Sequence, residues 1–227
     1  MLTFLGDGGA FDYIRGNTNA FYKSGDELFL IDCGSNAYFE IMKHNLLSGV
    51  KHVIILITHL HADHFGGVAS LCDYLNVQNI MFNAGIEFDI YYPNYENIET
   101  ILSLMLIPNV KSHLHSPSEL KNCLRVFDAV HFSNAYSYLL EIDGNKLFYS
   151  GDTSVLNEEA LKLLIDGKID YFYHEACDKQ SPYHIGISQL ADKIPQKLRK
   201  KVTLMHISGN LDKKIKELGF NLCNVLK

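Results

Sequence analysis

The chain has 227 residues, of which 47% are hydrophobic, and its formal net charge at pH 7 is -6. That length and apolar content suffice for a substantial core, and we expect a single domain spanning residues 1–227. The acidic balance gives no global attraction to nucleic acid or to an anionic membrane. The first residues lack the pattern of a signal peptide, and no segment has the roughly 20 apolar residues of a membrane span. We therefore expect a soluble protein with no membrane partner.

Short apolar runs rich in β-branched and aromatic residues recur along the chain and predict strands, at 19–22, 28–32, 52–57, 136–142, 146–149, 170–173 and 202–205. Helical spacing lies between them, at 38–47, 65–75, 98–106, 157–165 and 187–198, where Pro195 interrupts the last segment. Asp143-Gly144 predicts a tight hairpin between two of these strands. Interspersed strands and helices without an internal repeat predict a layered α/β sandwich.

The five cysteines are far apart, odd in number and never spaced as C-x-x-C. This spacing predicts neither a disulfide framework nor a thiolate zinc site. We therefore expect a cytoplasmic protein in a reducing environment.

The strand predicted at 52–57 runs directly into Thr58-His59-Leu60-His61-Ala62-Asp63-His64. In extended backbone, alternation puts His59, His61 and Asp63 on one side, and a turn could bring His64 round to them. Without a metal, three imidazoles and a carboxylate so close together would leave many polar atoms to satisfy. The motif therefore predicts a metal site. Because zinc needs about four ligands, further ligands are expected downstream.

Three downstream residues are candidates for those further ligands. His131 precedes the predicted hairpin, Asp152 follows the second strand of that hairpin, and His206 follows the strand at 202–205. His113 and His115 also precede the hairpin and remain alternatives to His131.

The ordered motifs THxHxDH, an isolated His, SGDT and a strand-terminal His resemble the metallo-β-lactamase superfamily, and they run from Thr58 to His206. Phe4-Leu5-Gly6 and Leu30-Ile31-Asp32-Cys33-Gly34 resemble its opening strands, so the resemblance covers nearly the whole chain. It implies a four-layer αββα sandwich with the site at one edge of the paired sheets. It also implies two divalent metal ions, one held by His59, His61 and His131 and the other by Asp63, His64 and His206, with Asp152 bridging them.

Two branches of the superfamily are disfavoured by the residues present. Metallo-β-lactamases with Arg after the motif aspartate would have Arg in place of His64 and Cys in place of Asp152. Flavodiiron-type oxidoreductases usually have Glu at the position of His61. Hydrolysis other than that of antibiotics is therefore the expected chemistry.

The segments Tyr173-His174-Glu175-Ala176 and Tyr183-His184-Ile185 resemble the HEA and later His motifs of the tRNase Z-like phosphodiesterase branch. This resemblance implies that His184 protonates the leaving oxygen and that Glu175 orients it. The chain departs from the branch at Cys177, where Thr is common, and at Ile185, where Ser or Thr usually follows. The alternative for His184 and Glu175 is a role as ordinary loop residues.

Members of this branch that process tRNA grip the RNA with a basic arm after the first motif. Residues 76–110 contain no Lys or Arg but four acidic residues, Glu87, Asp89, Glu96 and Glu99. This stretch should repel a phosphate backbone, so large folded RNA is disfavoured. Some small phage and bacterial relatives of the branch degrade cyclic nucleotide signals. We therefore expect a small phosphodiester, such as a cyclic nucleotide, as the substrate.

The expected enzyme is thus a dinuclear metal-dependent phosphodiesterase that uses a metal-bridging hydroxide, with Asp63 also orienting the nucleophile. Zinc is the expected metal, with Mn or Fe as alternatives. The alternative functions are lactone or thioester hydrolysis at the same centre, tRNA 3′-processing, and a noncatalytic scaffold. Dimers are common in the branch, so the resemblance predicts a homodimer.

Overall fold

The computed structural model describes all residues from Met1 to Lys227, and twelve strands form two six-stranded sheets. The first sheet has the order β1-β2-β3-β4-β5-β6, with strands at Thr3–Gly6, Asn19–Ser24, Glu27–Ile31, His52–Leu56, Glu87–Tyr91 and Leu114–His115. The second has the order β12-β11-β10-β9-β8-β7, and in chain order β7 to β12 are Cys123–Asp128, Tyr136–Ile142, Asn145–Tyr149, Tyr171–Glu175, Val202–Met205 and Asn221–Leu222.

Seven α-helices connect the strands: α1 Ala37–Lys43, α2 Ala62–Phe65, α3 Val68–Phe82, α4 Tyr95–Leu104, α5 Glu158–Ile165, α6 Ile187–Lys193 and α7 Asp212–Glu217. Three 3₁₀ segments lie at Val110–His113, Pro117–Glu119 and Gln196–Lys201. None of the helices combines the length and the apolar content that crossing a membrane requires.

The buried apolar side chains form three layers of core, as strand alternation requires. In β4, Val53 and Ile55 pack with α1, α3 and α4 on the outer face of the first sheet. Ile54 and Leu56 point the other way, into a core between the two sheets. A third core lies between the second sheet and helices α5, α6 and α7. This order of layers is the predicted αββα sandwich of the metallo-β-lactamase fold.

Strands β4, β9 and β11 lead directly to predicted ligands, and each has at least one parallel neighbour. Strand β4 pairs in parallel with β3 and β5, and β10 pairs in parallel with β9 and β11. In a parallel pair the carboxyl ends of the strands meet at the same edge of the sheet. The loops that follow β3, β4, β9, β10 and β11 therefore gather at one end of the sandwich.

The predicted hairpin is confirmed, because β8 and β9 pair antiparallel around Asp143 and Gly144. Both turn residues have positive φ, 51° and 71°, as this two-residue turn demands. The helix predicted at 187–198 ends at Lys193, since Pro195 has no N–H to continue it, and a 3₁₀ segment follows.

Strand β5 was not predicted from the sequence, because Glu87 and Asp89 interrupt its apolar residues. Only Phe88 and Ile90 enter the helix-side core, and the opposite face of the strand carries the charged Asp89. Tyr92, directly after β5, is fully buried and donates a hydrogen bond to the Asn134 carbonyl oxygen.

Candidate metal centre

The THLHADH motif begins where β4 ends, and a buried carboxylate from the neighbouring strand organises it. Asp32, directly after β3, accepts hydrogen bonds from the Thr58 backbone N–H at 2.7 Å and from the Thr58 hydroxyl at 2.9 Å. Its Oδ2 also lies 2.8 Å from His64 Nδ1, which donates to it. This bond puts a hydrogen of His64 on Nδ1 and directs Nε2 into the cluster, the orientation typical of a metal-binding histidine.

His59 is oriented in the same way by Thr58. Since the Thr58 hydroxyl donates to Asp32, its oxygen accepts from His59 Nδ1 at 3.1 Å. His59 Nε2 is then a bare acceptor, and it is buried without any hydrogen-bond partner. Burial, with His64 nearby, lowers the pKa of His59 to about 2, so the imidazole is neutral and able to bind a cation.

His59, His61 and His131 form the first group, with one nitrogen from each within 4.8 Å of the others. His131 Nε2 lies 3.2 Å from His61 Nδ1. On its other side, His131 Nδ1 donates to the Tyr183 carbonyl oxygen at 2.9 Å. Burial lowers the pKa of both His61 and His131, which also favours their neutral, metal-binding form.

Asp63, His64, Asp152 and His206 form the second group, and all four are buried. Asp63 Oδ2 lies 3.2 Å from both His64 Nε2 and His206 Nε2. Burial opposes ionisation of Asp63, but the hydrogen bond from His206 and the nearby His64 lower its pKa. The pocket thus combines ionised carboxylates with imidazole nitrogens.

Asp152 lies between the two groups. Its Oδ2 is 3.4 Å from His64 Nε2 and 3.3 Å from His206 Nε2, and 3.9 Å from the Nε2 atoms of both His59 and His131. The preceding Gly151 has φ 57°, and a Cβ there would meet the Tyr136 carbonyl oxygen at 2.8 Å. Only glycine therefore allows the turn that carries Asp152 to this central position.

The cluster fits divalent metal ions on the chemistry of its atoms. His59 Nε2, His64 Nε2 and Asp152 Oδ1 are buried and lack hydrogen-bond partners. Such atoms are costly to bury unless something else satisfies them, and a cation does so. Burial opposes ionisation of Asp152, yet His206 and His64 hold its pKa well below the usual range, so its charge demands a positive partner. Imidazole and carboxylate ligands suit zinc and related metals.

Glu175 and His184 form a hydrogen-bonded pair beside this cluster. Glu175 ends β10, is fully buried, and accepts from the Thr153 backbone N–H and from His184 Nδ1, the latter at 2.9 Å. Burial and the charge of Asp152 raise the pKa of Glu175 well above its ordinary range. His184 Nδ1 lies 4.0 Å from Asp152 Oδ2, and its ring stacks on His206 with centroids 5.2 Å apart.

The two groups open into a cavity of about 770 Å³ whose wall includes His61, His131, Asp152, His184 and His206. Aromatic side chains complete the wall, at Phe11, Tyr13, Phe132 and Tyr183. No Lys or Arg lines it. A ligand in the cavity meets metal-binding groups on one side and apolar rings on another.

All seven predicted ligands, together with His184 and Glu175, come together in this cluster. The alternatives to His131 do not: His115 lies 2.9 Å from Asp89, and His113 stacks on Phe88, both on the β5 side of the first sheet. No role was predicted for Asp32 or Thr58. The sequence signal for Asp32 was its place directly after a strand that pairs in parallel with the strand of the motif.

We predict that Asp32→Asn weakens metal binding roughly 10- to 100-fold, because it removes the acceptor that fixes the tautomer of His64. Thr58→Ser, which keeps the hydroxyl, is the matched control and should bind metal as the wild type does. Competition with a chromogenic chelator measures both. Equal metal affinity for Asp32→Asn and the wild type would contradict this role for Asp32.

The family model described as anti-Pycsar protein Apyc1 matches residues 1–94 and 91–223 of the chain. The anti-Pycsar protein Apyc1 of Paenibacillus sp. (strain J14) is 28% identical over 230 residues, which cover 93% of this chain and 90% of that protein. The Apyc1 of Bacillus phage 010DV004 is 27% identical over 246 residues, with the same coverage of 93% and 90%.

Among solved structures, human tRNase Z, short form, is similar to this chain with a TM-score of 0.68 and 22% sequence identity. The match covers 98% of this chain and 95% of the human one. At this identity the likeness is one of fold, and the fold is that of the metallo-β-lactamases. Together with the family model, which spans nearly the whole chain, it shows that the chain belongs to the anti-Pycsar protein Apyc1 family of metallo-β-lactamase-fold hydrolases.

Proposed function

We propose that this metal-dependent hydrolase is a dinuclear phosphodiesterase whose substrate is a cyclic nucleotide. The position of Asp152 carries the proposal, since one of its oxygens is within 3.9 Å of imidazole nitrogens from both groups. A carboxylate shared between two ligand groups is what a two-metal site requires. The membership of the chain in the Apyc1 family supports the same reading.

In the proposed ligand set, His59, His61 and His131 would hold one ion, Asp63, His64 and His206 would hold the other, and Asp152 would be available to both. We propose zinc for both ions because the ligands are imidazoles and carboxylates. When bound, the ions would activate water for attack on phosphorus and neutralise charge on the phosphoryl oxygens. A noncatalytic scaffold would not need to keep this set of buried, unsatisfied ligand atoms.

His184 supplies the proton for the leaving oxygen in this proposal. Its Nδ1–H donates to Glu175, so the opposite nitrogen, Nε2, is the one that exchanges a proton with the substrate. The P–O bond to the sugar oxygen breaks as a new P–O bond forms to the attacking water oxygen. The water releases one proton to solvent, and the sugar oxygen takes a proton from His184 Nε2. The hydrogen bond to the buried Glu175 side chain holds the His184 ring in place.

The shape of the site favours a small phosphodiester over folded tRNA. A volume of about 770 Å³ lies in the range of pockets that enclose small molecules. The segment without Lys or Arg, residues 76–110, folds as the end of α3, β5 and α4, so it provides no basic arm for an RNA backbone. Hydrolysis of lactones or thioesters would use the same centre and is separated from this proposal by assay.

We predict that the purified protein hydrolyses 3′,5′-cyclic nucleotides and that Asp152→Ala abolishes turnover. His184→Gln should lower kcat about 10²- to 10⁴-fold, the usual contribution of a general acid. His44→Gln, on a histidine that contacts Glu40 outside the site, is the control and should leave turnover unchanged. Activity confined to a panel of lactones, or full activity after rigorous removal of metal, would overturn the proposal.

We predict that the enzyme discriminates against substrates with more than one phosphate charge. No Lys or Arg lines the cavity, so only bound metal ions and histidines could neutralise the negative charge of a substrate. Asp63 and Asp152 already neutralise part of the positive charge of those metal ions and histidines. For a nucleoside 5′-monophosphate or 5′-triphosphate, kcat/KM should be at least about tenfold below that for the cyclic monophosphate. Chromatographic separation of the nucleotide products measures all three reactions, and equal kcat/KM values would contradict the charge argument.

We further propose that the chain folds as one domain and that it acts in the cytoplasm as a homodimer. The core between the sheets draws on both halves of the chain, and all five cysteines are free. Two helices in the layer over the first sheet end in exposed apolar side chains: Val77, Ile80, Met81 and Phe82 in α3, and Leu104, Met105 and Leu106 at and after the end of α4. We propose that they form one apolar patch. A patch of this kind is typical of a protein interface.

Light scattering coupled to size exclusion is expected to give the mass of a dimer for the wild type. Ile80→Glu, which places a charge on a side chain that is 76% exposed, should give a monomer that remains folded by circular dichroism. Lys43→Glu, a charge change at an exposed position outside the patch, is the control and should stay dimeric. A monomeric wild type would overturn the dimer proposal.

A further inference from the structure

A stacked pair of aromatic rings lies half exposed in the wall of the cavity beside the metal-binding histidines. The rings of Phe132 and Tyr183 stack with centroids 4.6 Å apart and an interplanar angle of only 6°. Phe132 is 50% exposed and Tyr183 is 44% exposed, and both line the cavity. The pair thus offers apolar surface to whatever occupies the cavity.

This pair is not part of the packing that holds the fold together. Neither ring belongs to any of the three core clusters or packs against one as a partly buried neighbour. By contrast, the large aromatic side chains that do build the core, such as Tyr138, Tyr149 and Phe148, are almost wholly buried. Leaving two rings half exposed on loops forgoes stabilisation that burial would give, so a role in binding explains them better.

The pair is held at a fixed place relative to the reacting groups. Phe132 follows His131 in the loop between β7 and β8, and Tyr183 precedes His184 in the loop between β10 and α6. The hydrogen bond from His131 to the Tyr183 carbonyl oxygen joins the two loops. The Phe132 ring also contacts the His61 ring edge-on, with centroids 4.9 Å apart. A group lying on the wall is therefore next to both the first ligand group and the proposed proton donor.

Three polar side chains elsewhere in the cavity are already engaged within the protein. Ser35 donates to the Ala62 carbonyl oxygen, Asn17 donates to the Ala10 carbonyl oxygen, and Asp12 accepts from two backbone N–H groups of its own loop. The aromatic surface that the cavity offers to an uncharged part of a ligand lies at Phe11, Tyr13, Phe132 and Tyr183. Of these rings, only Phe132 and Tyr183 contact the rings of metal-binding histidines. A flat aromatic group can extend their stack on an outer ring face.

We propose that Phe132 and Tyr183 bind the nucleobase of the substrate by stacking and so determine its specificity for nucleotides, an inference that rests on the proposed cyclic nucleotide activity. Stacking on an aromatic side chain strengthens binding of a base roughly 10- to 100-fold. Because the base is distant from the bond that breaks, this contact is equal in the ground and transition states and acts on KM rather than on kcat.

The test compares two substrates that differ only in the base. One is a 3′,5′-cyclic nucleotide, and the other is the 3′,5′-cyclic phosphate of abasic ribose. Phe132→Leu and Tyr183→Leu remove a ring and keep apolar volume, whereas Tyr183→Phe keeps the ring. Phe39→Leu, on an exposed aromatic side chain that does not line this cavity, is the matched control.

We expect each Leu variant at the wall to raise KM for the cyclic nucleotide by about tenfold or more, with kcat within about twofold of the wild type. The abasic substrate should be turned over almost equally by the wild type and the variants. Tyr183→Phe and Phe39→Leu should behave as the wild type. Metal content and thermal unfolding are measured on the same samples to identify any variant that has lost its fold.

An equal loss of kcat on both substrates would overturn the inference, since the rings would then only position His131 and His184. An unchanged KM for the cyclic nucleotide would overturn it as well and leave the proposed function standing. If the wild type turns over neither cyclic phosphate, the proposed function itself fails, and the inference fails with it.

Discussion

The structure of the site depends on the Asp152 carboxylate, which is buried at the meeting point of four imidazoles. An ionised carboxylate in such a place needs positive charge close by, and no Lys or Arg lines the cavity to provide it. The buried Nε2 atoms of His59 and His64 have no hydrogen-bond partner, so they also require a group that binds them. Divalent cations meet both demands, so metal binding and the stability of this end of the protein are linked.

The fold serves this site by aligning the ends of parallel strands. Five residues of the site lie at or just beyond the carboxyl end of a strand: Asp32, Thr58, Asp152, Glu175 and His206. The two sheets pack face to face and bring these strand ends together. Hydrogen bonds from neighbouring residues then orient the functional side chains. Asp32 and Thr58 orient two histidines of the motif, and Glu175 orients His184. Loops add what strands do not supply, namely His131, His184 and the aromatic wall.

The sequence predicted those parts of the fold and site that are written in short, local patterns. The apolar run of β4 and the glycine turn at Asp143-Gly144 were readable in this way, and the ordered motifs led to the αββα fold. Other features depend on residues that meet only in three dimensions. Asp32 reaches His64 because β3 pairs with β4. Phe132 and Tyr183 stack although they lie on separate loops. Charged residues in β5 interrupt the apolar pattern that would predict a strand.

The most direct test of this account is the metal content of the chain purified without chelators, measured by elemental analysis alongside the protein concentration. We predict about two divalent metal ions per chain, because the ligand atoms form two groups and the Asp152 carboxylate lies within 3.9 Å of histidine nitrogens from both. A content well below one ion per chain, in protein that is folded by circular dichroism, would contradict it.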